Sequence, residues 1–377
     1  MPVSKNRRFA KIANDVNTSG TLTAAAISSD VNLGGATTYD SAGAFPSSGT
    51  GGDLAYATST GALWMYDAAN SRWEVITSSP PTYSVEALLV GAGGQGAAGG
   101  GGGAGGLLYY GDGSNNNGAA LDIPYGTTFT VVVGQPGDGP APVYPAGGVN
   151  GGNTTFAGGT INLVSYGGGG GAGGAYVNGS NANSGYYGAA GGSGGGGGGN
   201  NSITNATMPG GTGVSGQGND GGSGYAAAGS PAGGGGGAGG AGGNHSSKTG
   251  GVGLAMTYIV PVSVASAENI GEISGSDVYF AGGGGGGSHS SGSGAGGLGG
   301  GGDGSTHTTS PSAAVNALDN TGGGGGGGSG FKSTGGSGVA VFKVPVNATI
   351  NGTNYTTASV TGGTLVIFKQ NGTLTLS

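Results

Sequence analysis

The sequence predicts a mostly irregular plus β protein: stacked polyglycine-II helices anchored by a small β-sheet, with short β-modules at both ends and almost no α-helix. Three observations lead there. Glycine supplies 103 of the 377 residues. It comes in runs whose few other residues fall three apart. Segments with strand character open and close the glycine-rich block.

In the run 91–106, Ala92, Gln95, Ala98 and Ala104 share one phase of three, Leu107 continues it, and Ala97 alone breaks it. In 232–244, Ala232, Ala238, Ala241 and Asn244 do the same. A period of three is neither the 3.6 of an α-helix nor the 2 of a strand. It belongs to an extended, left-handed helix of the polyproline-II type, which makes no internal hydrogen bonds. Glycines have no apolar side chain to bury, and ordering each costs about 1–2 kcal/mol. Their buried N–H and C=O groups must find partners. Stacking such helices side by side, each bonded to its neighbours, solves both problems. An inward Cβ would push the helices apart, so the off-phase residues are expected on outer faces or at run ends. A straight run of 16 residues would be roughly 50 Å long. Successive helices must go back and forth, with connectors collected at the two ends.

Residues 1–82 differ from the rest. A polar lead-in precedes short antiparallel strands, read from the alternation of Leu63 and Met65 against Trp64 and Tyr66, then Trp73 and Val75. The breaks Thr60–Gly61 and Ala68–Ser71 read as turns, Pro80–Pro81 as a stiff linker, and the two tryptophans as a small core. Residues 83–345 form the glycine-rich domain. Its opening strand, 83–90, feeds the first run. Ala120–Ile123 and Thr127–Val133 read as a strand pair turning at Pro124–Gly126, and Phe156 with Ile161–Tyr166 as another. The strand 338–344 is placed to pair with Val85–Val90. Residues 346–377 form a β-rich extension, where Asn371–Gly372 signals a type I′ hairpin between Thr364–Lys369 and Thr373–Leu376.

Composition narrows the function. Glycine and proline together make about 31% of the chain, which invites a disordered reading. Charged residues are only 7%, against that reading. There is no cysteine, so no disulfide framework and no cysteine metal site. The net charge of −7 argues against a nucleic-acid partner. No window approaches the roughly 20 apolar residues of a membrane span, so membrane insertion is not expected. The opening residues lack the apolar stretch of a signal peptide, although four of the nine basic residues, Lys5, Arg7, Arg8 and Lys11, lie there. That basic start is a solvated tail or a docking segment. The triplets headed by Asn153, Asn205, Asn347 and Asn351 match glycosylation acceptors only as a Thr- and Asn-rich composition does by chance.

No catalytic, cofactor or metal site can be assembled. Gly91-x-Gly93-x-x-Gly96 follows a strand, as in dinucleotide sites, but the glycines after it cannot sustain the required α-helix at about 1 kcal/mol lost per glycine. The carboxylates Asp112, Asp122, Asp138, Glu268, Glu272 and Asp277 are scattered. An enzyme is therefore not expected. The informative residues lie in the connectors: Tyr176, Tyr186, Tyr187, Asn200, Asn201, Tyr225, His245, His289 and His307. Aromatic rings with flanking Asn and Ser suit recognition of a sugar or a protein surface. The alternative is that the tyrosines cover the ends of the glycine stack as small local cores.

The order of pieces VEALLVGAGGQGAAGGGGGAGG, TTFTVVVG, GGNTTFAGG and GGSGVAVFKV resembles the glycine-rich domain of bacteriophage tail fibres and tail-tip adhesins, over residues 83–345. GDLAYATSTGALWMYDAANSRWEVI is similar to short β-modules of phage fibre proteins. The resemblance implies a virion protein assembled in the host cytoplasm. Residues 1–82 would attach to other tail proteins, and a sandwich of polyglycine-II helices would present loops to a host cell-surface glycan or protein. The connectors 175–187, 200–209, 244–250, 288–294 and 303–321 would be those loops. It also implies a homo-oligomer, with a trimer favoured. The resemblance carries no catalytic residues. A structural shaft subunit without receptor contact is the competing expectation; an ice-binding protein would need a regular Thr or Ala face that these connectors lack.

Overall fold

The computed structural model describes residues 37–39, 42–50, 53–57, 62–67, 71–75, 82–140, 147–174, 186–199, 206–226, 229–306, 314–328 and 333–377. The expected turn at 60–61, most of that at 68–71, the linker at 80–81 and the basic start lie outside them.

Strands β1 (Thr37–Tyr39), β2 (Leu54–Ala57), β3 (Ala62–Asp67) and β4 (Arg72–Val75) make one sheet in that order. The last three are antiparallel, as alternation predicts, while β1 joins parallel to β2. Phe45 packs edge-on against Trp64 at 5.7 Å and tilted against Trp73 at 5.2 Å. Trp73 Nε1 donates to Pro46 O. The tryptophans therefore form a small core.

The glycine-rich part rests on two larger sheets. Their strands are β5 (Thr82–Val90), β6 (Leu107–Tyr110), β7 (Leu121–Pro124), β8 (Thr128–Val132), β9 (Thr154–Gly158) and β10 (Ile161–Ser165). The chain then adds the short strands β11 (Thr207–Met208), β12 (Gly224–Tyr225) and β13 (Leu254–Ala255), the helix α1 (Val262–Glu268), and β14 (Glu272–Ser274) and β15 (Asp277–Phe280). It closes with β16 (Val339–Val344), β17 (Ile350–Thr353), β18 (Thr356–Val360), β19 (Gly363–Phe368) and β20 (Gly372–Leu376).

One sheet runs β18-β19-β16-β5-β6, with β7 on the first half of β5; the other runs β10-β9-β8-β20-β17. As expected, β16 pairs antiparallel with β5, Val339 opposite Val90. Both faces of β5 and β16 are covered, which is why they read as continuous apolar runs. Leu89, Phe342 and Phe368 face Phe129, Phe156 and Leu374 of the second sheet. Leu88, Val90, Val339 and Val341 pack against Met256, Ile259, Val264 of α1 and Phe280.

Two pairings differ from the sequence reading. The segments 120–123 and 127–133 do turn at 124–127, where Thr127 N–H donates to Pro124 O, but they do not pair with each other. β7 pairs with β5, and β8 crosses to the second sheet, between β9 and β20. Likewise Asn371–Gly372 is a corner and not a hairpin. Both edges of β19 are taken by β16 and β18, so β20 leaves for the second sheet. Asn371 Oδ1 accepts from Val133 N–H at 2.9 Å and fixes that corner.

The glycine runs form the expected stack. In 99–106, Gly100, Gly103 and Gly106 donate to Ala172, Gly169 and Tyr166 at 2.9, 2.8 and 2.7 Å. Gly101 and Ala104 donate to Gly233 and Gly236, and Gly102 and Gly105 to Gly325 and Gly322. Successive residues thus point to three different neighbours, and the fourth returns to the first: the three-fold helix written in hydrogen bonds. The carbonyls of the same helix accept from Gly91 and Gly94, from Ser193 and Gly196, and from Gly284 and Gly287.

Segments 91–96, 167–172, 193–198, 232–237, 282–287 and 322–328 therefore ring the central helix, and the ring is closed. Each bonds to the next through Gly168–Ala92, Gly169–Ser193, Gly236–Gly194, Gly235–Gly284, Gly324–Gly282 and Gly325–Gly94. An outer tier, which includes 134–139, 147–152, 219–223, 249–253, 300–304 and 333–337, lies around this ring.

One expectation about the runs is corrected. The run 91–106 is not one long rod: Ala97 N–H donates to Gly100 O, and Gly94 to Gly103, so the run folds back into two adjacent helices. Ala97, the off-phase residue, sits at that turn, while the in-phase alanines of this and the neighbouring runs are enclosed. Ala92, Ala97, Ala104, Ala172 and Ala232 are fully buried, and Gln95 nearly so. The outward side of an inner helix is itself enclosed, so these side chains fill seams. Ala104 reaches the apolar core, while Gln95 donates to Gly139 O and accepts from Val149 N–H.

Candidate functional site at the loop end

The stack has two unlike ends. At the end resting on the sheets, the helices are joined by tight turns. Gly237 N–H donates to Gly240 O, Gln217 to Val214 O, and Gly301 to Gly297 O. Side chains lock these turns. Glu272 Oε2 accepts from Gly299 and Gly300 N–H at 2.6 and 2.7 Å, where φ values of +107° and +91° require glycine. Gln217 accepts from Tyr166 N–H and donates to Val164 O.

At the opposite end lie the longer connectors, tied together locally. Gly198 N–H donates to Tyr186 O, Ala226 to Ala206 O, His245 to Ser223 O, His289 to Gly229 O, and Gly328 to Ala97 O. The fold thus gathers the described connector residues singled out by sequence onto one end. Tyr176, Asn200, Asn201 and His307 lie outside the described residues.

The gathered residues differ in role. Tyr186 is buried with Met208 and Ala226 and serves as a local core, while Tyr187 beside it is 45% exposed. Tyr225, on β12, pairs in register with the exposed Thr207 of β11. Its ring stacks on His245, centroids 4.8 Å apart and planes 23° apart. His289 and His245 are half-buried. Lys248, in the 244–250 connector, is buried. Two nearby carboxylates, Asp220 and Asp303, accept from Gly213 and Gly296 N–H.

Sequence reading missed a set of side-chain staples on those flanks. Asn150 and Asn153 accept from Gly170 and Gly167 N–H at 2.8 and 2.9 Å. Asn316 and Asp319 accept from Thr334 and Ser337 N–H. Where the outer tier ends, an Asx side chain replaces the missing neighbour. The available signal was an Asx pair spaced by three beside a glycine run.

A second polar cluster lies near the sheets. Tyr109 OH donates to Glu86, which also accepts from Lys343 Nζ at 3.0 Å. Burial, then the bond to Glu86, push the Tyr109 phenol above its ordinary range. The cluster joins β5, β6 and β16. Among the described residues no group of three or more His, Asp or Glu could hold a metal ion, and no helix is long and apolar enough to cross a membrane.

A family model for a glycine-rich domain matches residues 68–345. Searches of curated proteins and of solved structures each returned no significant match. The matched span covers the whole stack and the sheets' first strand, so this chain belongs to the glycine-rich domain family.

Proposed function

We propose that this protein is a phage virion tail-fibre or tail-tip adhesin that binds a host cell-surface receptor, glycan or protein, through the loop end of its glycine stack. Residues 1–82 attach it to other tail proteins, and it works as a homo-oligomer, a trimer, at the host surface. The observation that supports this most is the division of labour between the two ends. Turns at the sheet end are short and locked by Glu272 and Gln217, whereas the opposite end carries longer Tyr-, Asn-, Ser- and His-bearing connectors. A scaffold whose stability resides in backbone bonds leaves its loops free to vary in sequence.

The test is to exchange the connectors 175–187, 244–250 and 288–294 one at a time and measure adsorption of particles to host cells. Lost or redirected adsorption with an unchanged melting temperature supports the adhesin. Unchanged adsorption for every exchange assigns the chain to a structural shaft instead.

A further inference from the structure

We infer that the stacked Tyr225–His245 pair is a sugar platform, a subsite for one pyranose ring of a surface polysaccharide. This rests on the receptor-binding reading and narrows it from glycan or protein to glycan.

Four features of the pair point this way. First, the platform is built by folding: Tyr225 comes from β12 and His245 from the turn after 240–243, and their rings lie 4.8 Å apart and nearly parallel. The turn is held by His245 N–H on Ser223 O at 2.7 Å, by Lys248 N–H on Asn244 O at 2.7 Å, and by Ser246 N–H on Asn244 Oδ1 at 3.0 Å. Second, exposed hydroxyl-bearing residues adjoin it in register and along the chain. Thr207, exposed, is the register partner of Tyr225 and shares its side of the ribbon; Ser246 and Ser247 follow His245 and are exposed.

Third, His245 Nδ1 is buried with no protein hydrogen-bond partner. A buried unsatisfied N–H is rarer and costlier than an unused lone pair, so the ring proton belongs on Nε2. On this proposal Nε2 would donate to a sugar hydroxyl oxygen. Fourth, the large apolar side chains that a protein partner would grip are elsewhere. Leu298 is exposed in the turn at the sheet end, and Val149, Val252, Val315 and Leu318 are exposed along the stack, apart from Tyr187. Protein hot spots need clustered, desolvated anchors. On this proposal a pyranose would lay its C–H face against the outer side of the stacked pair and turn its hydroxyls to the Thr207 and Ser246 side chains.

The experiment titrates the full chain, labelled with ¹³C at histidine rings, with methyl α-glucopyranoside, methyl α-galactopyranoside, methyl α-mannopyranoside and N-acetylglucosamine. The expected result is a saturable shift of the His245 ring signals by at least one sugar. Tyr225→Ala should weaken that sugar by about tenfold or more, with the melting temperature and the remaining His signals unchanged. Tyr225→Phe should restore binding, which separates loss of the ring from loss of the ribbon. His245 signals unmoved by every sugar, or Tyr225→Ala binding as wild type, would overturn the subsite. If loop exchanges abolish adsorption while Tyr225→Ala particles adsorb normally, the subsite fails and the adhesin reading stands. If no exchange affects adsorption, both fail.

Discussion

At the scale of the residue, glycine here is required by close approach far more than by backbone freedom. A Cβ on Gly102 would run into the Gly94 carbonyl, and one on Gly103 into that of Ser193. Gly99 is different: the nearest atoms to its Cβ would be Ala232 Cβ and Gly199 N, both at 3.4 Å. Gly102→Ala should therefore destabilise by about 3 kcal/mol or more, at the upper end of overpacking costs. Gly99→Ala should stay within about 1 kcal/mol of wild type; urea unfolding of both variants checks the contrast. The staples act at the same scale. Asn153→Ala leaves Gly167 N–H without its partner and should cost about 0.5–1.5 kcal/mol, whereas Asn153→Asp keeps the acceptor and most of the stability. The phase of three was legible in Ala92, Gln95 and Ala104. Their burial was not, because a one-dimensional phase says nothing about whether a helix sits inside or outside a ring.

At the scale of the element, what the sequence revealed was local and what it hid was partner choice. Strands β5, β16, β9 and β10 announce themselves by apolar runs or alternation. The Asn371–Gly372 signal was chemically sound for a hairpin, yet neither residue has the positive φ that a type I′ turn needs. Competition decided: both edges of β19 were already occupied. The return of 91–106 at Ala97–Gly100 was hidden for another reason, since a glycine run can turn anywhere without a compositional mark. The helix α1 is tied to the closing strands through Glu268, whose carboxylate accepts from Thr356 Oγ1 at 2.8 Å and Lys369 Nζ at 3.0 Å. Burial acts to raise its pKa, but these two bonds outweigh it and hold the carboxyl below its usual range. A depressed folded-state pKa contributes stability above the unfolded value, near 4.3, that is lost as pH falls through the folded value. Glu268→Gln should thus be less stable than wild type at neutral pH and converge on it in acid, read as melting temperature against pH.

At the scale of the whole molecule, an apolar core and a backbone lattice divide the work. The paired sheets bury Phe129, Phe156, Phe342 and Phe368 as a conventional core; Phe156 lies 4.6 Å from Phe129 and 4.5 Å from Phe342. Phe342→Ala should cost about 3–5 kcal/mol and loosen the stack with the sheet it rests on. The glycine stack and its anchoring were legible in the sequence, as was the class of residue in the connectors. That Tyr225 and His245 meet was not, because they come from separate connectors and nothing local joins them. The lattice itself is tested most directly by amide hydrogen exchange on glycine-labelled protein. Gly101, Gly102 and Gly103, whose N–H groups bond to three different surrounding helices, should exchange only through global unfolding, as slowly as Leu88 and Val341 of the central sheet. Exchange of those glycines at the rate of an open coil would contradict the account.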